Sequence, residues 1–164
     1  MDKQYRVQPT KYDIIAGPEG PTLPYEAAAS QNFENRSGKL VYIDASNQLA
    51  IAGATITNII GWALVGDVTT SATAGDDLVV VNLGKGIIFE MPIDAARTEA
   101  QLKALIGETC DIIVTSNIQY ADYDASTYDV LEIMGYRYYG PASGQQTLLC
   151  RLYEPNIVTK GGVV

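Results

Sequence analysis

The residues best placed to do chemistry are carboxylates. Asp122, Asp124 and Ser126 have the first three ligand spacings of a calcium-binding loop. Such a loop needs glycine at its sixth position for a sharp turn, and a bidentate glutamate at its twelfth. Here those positions hold Thr127 and Ile133, so the spacing fails and a solvated loop is expected. Glu90 and Asp94 fall on one face of a strand, too far apart for paired acid–base work without a bend. Gly84-Lys85-Gly86 is too short for a phosphate loop, and a hairpin turn explains it. The Gly140–Gly144 segment contains Ser143 but lacks the spacing of a nucleophile elbow.

The chain has no histidine. That removes the commonest general base, proton shuttle and metal ligand together. Cys110 and Cys150 each fall on an apolar strand face, beside Ile112 and Val114 in one case and Leu148 and Leu152 in the other. Free buried thiols are expected, with a disulfide between the two as the alternative. Two thiols are too few ligands for a zinc site. The sequence therefore predicts no enzyme, no cofactor and no metal. Asn35-Arg36-Ser37 is a formal glycosylation sequon without a secretory signal before it, and is read as chance.

Tyrosine is the residue type in excess: eleven, against two phenylalanines and one tryptophan. Tyr136, Tyr138, Tyr139 and Tyr153 gather near the carboxy terminus, with Tyr120, Tyr123 and Tyr128 just before them. Tyrosine combines a large apolar area with a polar tip and is enriched at protein interfaces. The competing reading is of ordinary barrel residues, ring buried and hydroxyl wet. With Tyr5, Tyr12 and Tyr25 from the amino-terminal segment, Tyr136, Tyr138 and Tyr139 are the candidate partner contacts.

Residue types this poor in chemistry must be positioned by a scaffold, and the scaffold pattern is β. In 164 residues, 47% are hydrophobic and 18% charged, which suits a globular chain with one principal domain. A net charge of −8 with no basic run excludes nucleic acid and anionic membrane as main partners. The amino terminus has no apolar signal-peptide core and no segment is long enough to span a membrane, so synthesis in the cytoplasm is expected.

The stretch Ile59–Asp94 is the centre of the pattern. It reads as a strand over 59–65, a polar surface loop over 67–77, and a strand over 78–83 that is apolar on both faces. Gly61 and Ala63 in the first strand allow close backbone approach. After the glycine turn comes a strand in which Ile87, Phe89, Met91 and Ile93 alternate with Ile88, Glu90, Pro92 and Asp94. A hairpin over 40–44 and 48–52 precedes it. A short helix follows, with Thr98 and Gln101 as a capping box, Gly107 as its stop, and Leu102, Leu105 and Ile106 as its buried side. Strands over 110–115, 130–139 and 147–153 complete the pattern.

The fold class expected is mainly β: an antiparallel β-barrel or sandwich with one short helix and an extended N-terminal arm. Four of the seven prolines fall in residues 1–35, which therefore cannot form a helix or a central strand. The expected organisation is an extended Pro-rich arm over 1–35, a β-barrel domain over 36–154 and a tail over 155–164. Deletion of 1–30 is expected to leave the barrel folded.

Five segments in order carry a resemblance: Ser37–Asp44, Gln48–Gly53, Ile60-Gly-Trp-Ala-Leu64, Leu78–Val81 and Ile88-Phe-Glu-Met-Pro-Ile93. Over residues 36–94 the chain resembles the small β-barrel capsid decoration, or cement, proteins of tailed bacteriophage heads. The resemblance implies a virion protein on the outer capsid surface that bridges major capsid protein subunits and stabilises the shell. It also allows self-association as a trimer. It assigns no functional residue, because such proteins bind through whole surfaces. The alternative from another class is a carbohydrate-binding β-module or fibre component using the tyrosines as stacking platforms.

Overall fold

The computed structural model describes residues 8–11, 22–33, 39–63, 68–83 and 87–153. The protein is mainly β. Its elements are β1 (Gln8–Lys11), β2 (Thr22–Glu26), β3 (Lys39–Ile43), β4 (Leu49–Ile51), β5 (Ile59–Ala63), β6 (Leu78–Leu83) and β7 (Ile88–Pro92). After these come α1 (Glu99–Ala104), β8 (Thr109–Thr115), β9 (Ile118–Asp122), β10 (Leu131–Tyr138) and β11 (Gln146–Leu152).

The strands form two antiparallel sheets, ordered β1-β7-β11-β10-β8-β9 and β2-β6-β5-β3-β4. Each curls into a barrel-like shape closed by one parallel bridge, between the β7 side and β9 in the first sheet and between the two end strands in the second. In the first sheet Ile93, just past β7, pairs with Ala121 of β9. In the second, Ala27, just past β2, pairs with Leu49 of β4, and the Ala28 N–H donates to the Leu49 carbonyl at 2.8 Å.

Local chemistry explains the elements. In β7 the alternation holds: Ile87, Phe89, Met91 and Ile93 are all buried. Thr98 caps α1 by accepting from the Gln101 N–H, while the Gln101 side chain reaches back to Thr98, completing the capping box. Gly107 takes a φ of +92°, but the helix ends earlier, at the right-handed cap Leu105; the Gly107 N–H donates to the Ile133 carbonyl at 2.8 Å and so shapes the turn that leads into β8. Of the expected buried side of α1, Leu102 is buried and Leu105 half-buried, whereas Ile106 is 47% exposed. The helix stops at Ala104, so Ile106 lies in the turn beyond it and never joins the helical stripe.

Gly61 shows why its position in β5 demands glycine. A Cβ there would lie 2.1 Å from the Asn82 carbonyl oxygen on β6. The hairpin β3–β4 turns at Asp44, whose Oδ1 accepts from the N–H groups of Ser46 and Gln48, and Asn47 adopts φ +61°.

The amino-terminal segment contributes an edge strand to each sheet. β1 pairs with β7, and β2 with β6, which is where proline-bearing strands are tolerated. Residues 27–33 then pack against the polar loop of residues 68–77. Ser30 and Phe33 N–H groups donate to the Ser71 and Val68 carbonyls, and Thr70 N–H donates to Gln31. Ala27 and Phe33 are buried with Val41, Leu49, Ala63, Val79 and Val81 in the core of the second sheet. The described part of the segment before residue 35 thus belongs to the β structure, and the 68–77 loop is tied down on one side. The expected glycine turn at 84–86 and the tail over 155–164 lie outside the described residues.

A larger core fills the first sheet and takes Leu40, Ala52 and Ile59 from the second. Polar ties join the sheets at the same place. The buried Gln119 side chain of β9 accepts from the Leu40 N–H at 2.8 Å and donates to the carbonyls of Leu40 (3.0 Å) and Ala52 (2.8 Å). The Lys39 ammonium donates to the Asn117 carbonyl, and Asn117 Nδ2 donates to Asn32 Oδ1 at 2.9 Å. Burial lowers the Lys39 pKa, because the charged form has left water.

Candidate functional site

The carboxylates prove to be organised around the backbone. Asp111 on β8 is buried, and its two oxygens accept from the N–H groups of Thr127, Tyr128 and Asp129 at 2.9–3.0 Å. The loop that begins with Asp122, Asp124 and Ser126 is therefore shaped by a carboxylate outside it. Among the described residues, no group of three or more His, Cys, Asp or Glu could hold a metal ion. Burial, then the charge of Asp94, pushes the Asp122 carboxyl up from its ordinary range. Arg97 bridges both oxygens of Asp124 at 2.6–2.7 Å and stacks on the Tyr123 ring, 4.6 Å from its centroid. Its main chain is held in turn by the buried Gln146 side chain, which accepts from the Arg97 N–H and donates to its carbonyl, both at 2.8 Å. This cluster fastens the loop before α1 to the loop before β10.

Cys110 and Cys150 are free and fully buried. They sit on β8 and β11, the two strands that flank β10. A hydrogen bond with Cys110, together with burial, pushes the Cys150 thiol well up, so it behaves as a small hydrophobe.

The tyrosines separate into distinct groups. Tyr136 and Tyr138 pack against the larger core, half-buried, and the Tyr136 hydroxyl donates to Glu99 Oε1 at 3.3 Å. A bulge explains their direction. The register of β10 on β11 shifts between Ile133 and Gly135. Ile133 faces inward opposite Cys150, and after the shift Tyr136 lies opposite the equally buried Leu148. Strict alternation from Ile133 would have sent both rings outward. Tyr139, at the end of the strand, is 69% exposed and accepts from Arg137 Nη1 at 3.2 Å. Tyr25 of β2 is half-buried against the smaller core. Tyr5 and Tyr12 lie outside the described residues. Of the four described candidates, Tyr25 lies on the second sheet while Tyr136, Tyr138 and Tyr139 lie on or beside β10 of the first, and a stacking platform of Tyr136 and Tyr138 would have its rings on the core side.

An exposed apolar row that tyrosine counting missed lies on β6. The strand is apolar on both faces, and the sequence expects both to be covered. Val79 and Val81 are indeed buried, but Leu78 is 69% and Val80 41% exposed. Pro24 and Glu26 of β2, both exposed, stand opposite Val80 and Leu78 on this face, whereas Leu23 lies opposite the buried Val81 on the other. The same row continues to Asn82, which is buried and whose Oδ1 has no hydrogen-bond partner among the described residues. Exposed aliphatic side chains clustered on an edge pair of strands are the usual mark of an interaction surface. The signal was present in the sequence as a two-sided apolar strand.

Comparison of the chain with family models, with curated proteins and with solved structures gave no match.

Proposed function

We propose that the protein is a virion structural component: a capsid decoration protein that binds the outside of a phage head and bridges major capsid protein subunits. The observation that carries this reading is the exposed apolar row of β6, where Leu78 and Val80 stand exposed opposite Glu26 and Pro24 of β2. An apolar row in water gains roughly 25 cal/mol for each Å² that a partner covers. Three further features support a role in contact over one in catalysis. The buried ionisable and amide groups Asp111, Gln119 and Gln146 are committed to the main chain. The chain contains no histidine. The ordered segments over 36–94 resemble phage decoration proteins. A specific contact covers about 800 Å² on each partner, and repetition over a shell multiplies weak contacts.

The test is co-sedimentation of the purified protein with expanded, genome-filled heads and with unexpanded ones. Binding to expanded heads with a raised shell melting temperature is expected, and Leu78→Glu with Val80→Glu is expected to abolish it. Both side chains are exposed, so the double variant should keep the wild-type circular dichroism spectrum. Binding to neither type of head, nor to purified capsid protein, would sink the proposal.

A further inference from the structure

β1 occupies an unusual place. The first sheet already joins its ends through β7-β11-β10-β8-β9 and the Ile93–Ala121 bridge, without β1. β1 is added outside that ring, on the edge of β7, with Gln8 opposite Glu90, Pro9 opposite Phe89 and Lys11 opposite Ile88. The pairing is short and imperfect. It covers four residues, breaks register between Pro9 and Lys11, and includes a proline with no N–H to give. The next strand, β2, lies on the edge of the other sheet, and ten residues, 12–21, connect the two. Fully extended, ten residues reach about 35 Å, the breadth of a small domain. Pro18 and Pro21 within that connector favour extended over folded-back backbone.

We propose that β1 is exchanged between copies of this chain, Gln8–Lys11 of one copy pairing with the β7 edge of a second. The strand and the edge it leaves are complementary by construction, so exchange makes the same main-chain bonds between chains that it breaks within one. The ring loses no closing contact when β1 departs. What opposes exchange is the effective concentration of the tethered strand, about millimolar for a short flexible linker and lower for a stiff one. Copies held side by side would exceed it. The inference does not depend on the proposed shell partner, because it concerns the protein alone.

Two variants that each add one cysteine test it, Gln8→Cys and Glu90→Cys, the first carrying a tag that distinguishes its mass. Directly opposed residues of an antiparallel pair lie within disulfide reach. Cys110 and Cys150 are fully buried, so the introduced thiols are the reactive ones. The two variants are unfolded in urea, mixed, refolded together at millimolar chain concentration and oxidised. A disulfide between position 8 and position 90 can then form only between chains. The expected result is a mixed dimer at least fivefold more abundant than either same-variant dimer, reverting to monomer on reduction. Mixed dimer no more abundant than the same-variant dimers would overturn the proposal. Lys11→Cys with Ile88→Cys repeats the test at the other end of the strand. Light scattering on the unmodified chain and on a chain lacking residues 1–11 needs no cysteine. Exchange predicts a mass that grows with concentration only in the full chain. A full chain that stays monomeric at millimolar concentration refutes it.

Discussion

Replacing Gln119 by leucine should be among the most damaging single changes in the protein, although it puts an apolar side chain of similar size into an apolar surrounding. The Gln119 amide makes three hydrogen bonds, all to main chain of the second sheet. The Leu40 carbonyl keeps a partner after the change, because the Ala52 N–H also donates to it at 2.9 Å. The Leu40 N–H and the Ala52 carbonyl lose the partner that Gln119 provides, at a place walled by the fully buried Leu40 and Ala52. A buried main-chain group left without a partner costs about 1–3 kcal/mol. Two of them give a loss of about 2–6 kcal/mol, a large share of the roughly 5–15 kcal/mol that stabilises a domain. Urea unfolding followed by tryptophan fluorescence measures it, since Trp62 packs against the same core. The expected result is a lower midpoint with an unchanged slope. Gln119→Glu sharpens the test: an ionised carboxylate can accept from Leu40 but cannot donate to either carbonyl, so the variant should be weaker at pH 7 than at pH 4. A leucine variant within 0.5 kcal/mol of wild type would refute the view that this amide ties the sheets together.

Gly61→Ala should cost about 2–3 kcal/mol in a thermal melt, because its Cβ meets the Asn82 carbonyl oxygen, main chain that moves only if β5 and β6 separate. For Lys39, burial lowers the pKa in the folded chain, so the unfolded chain binds the proton more tightly. Stability therefore rises with pH between the lowered value and the ordinary lysine value near 10.4, and this contribution is flat above it. Lys39→Met should remove that rise and leave the protein equally or more stable at pH 7, checked by unfolding midpoints from pH 7 to 11. A chain lacking residues 1–21 should fold, whereas one lacking 1–33 also loses β2 and the buried Ala27 and Phe33; removing a buried phenylalanine alone costs about 3–5 kcal/mol, so the second should melt far lower by calorimetry.

Much of the fold was legible because β7, β8, β11 and α1 each carry their own signal. Alternation in Ile87–Ile93 and the Thr98–Gln101 box are local, and local signals survive folding. Three features were not legible, each for a physical reason. β9 was lost among tyrosines and carboxylates, because Gln119, its key buried residue, is polar and is satisfied only by main chain about 80 positions away in sequence. β1 and β2 carry prolines, which argue against a strand unless its place on a sheet edge is known. The directions of Tyr136 and Tyr138 depend on a one-residue register shift that only the pairing with β11 reveals. For the candidate site, the tyrosine excess was visible but its direction was not. The exposed row on β6 was visible as composition and read as buried, since a strand apolar on both faces is ordinarily covered on both.

The way this protein uses its polar residues bears on what kind of function it can have. Of the six buried polar or charged residues among those described, five bond to main chain: Lys39, Thr70, Asp111, Gln119 and Gln146. A catalytic site needs the opposite, polar groups held with a valence directed at a substrate. Asn82 is the sixth, and its Oδ1 is without a partner among the described residues. It lies on β6 in the same alternating row as the exposed Leu78 and Val80. Asn82 is itself buried, so its acceptor is closed off from anything that docks on Leu78 and Val80, and only the two aliphatic side chains of this row are open to a partner. If a partner seats on the aliphatic pair, Asn82→Leu should fold as stably as wild type, because it removes a buried acceptor that nothing described satisfies, and bind expanded heads as wild type does. A variant that folds like wild type but binds more weakly would refute the view that Leu78 and Val80 alone carry the contact on this face.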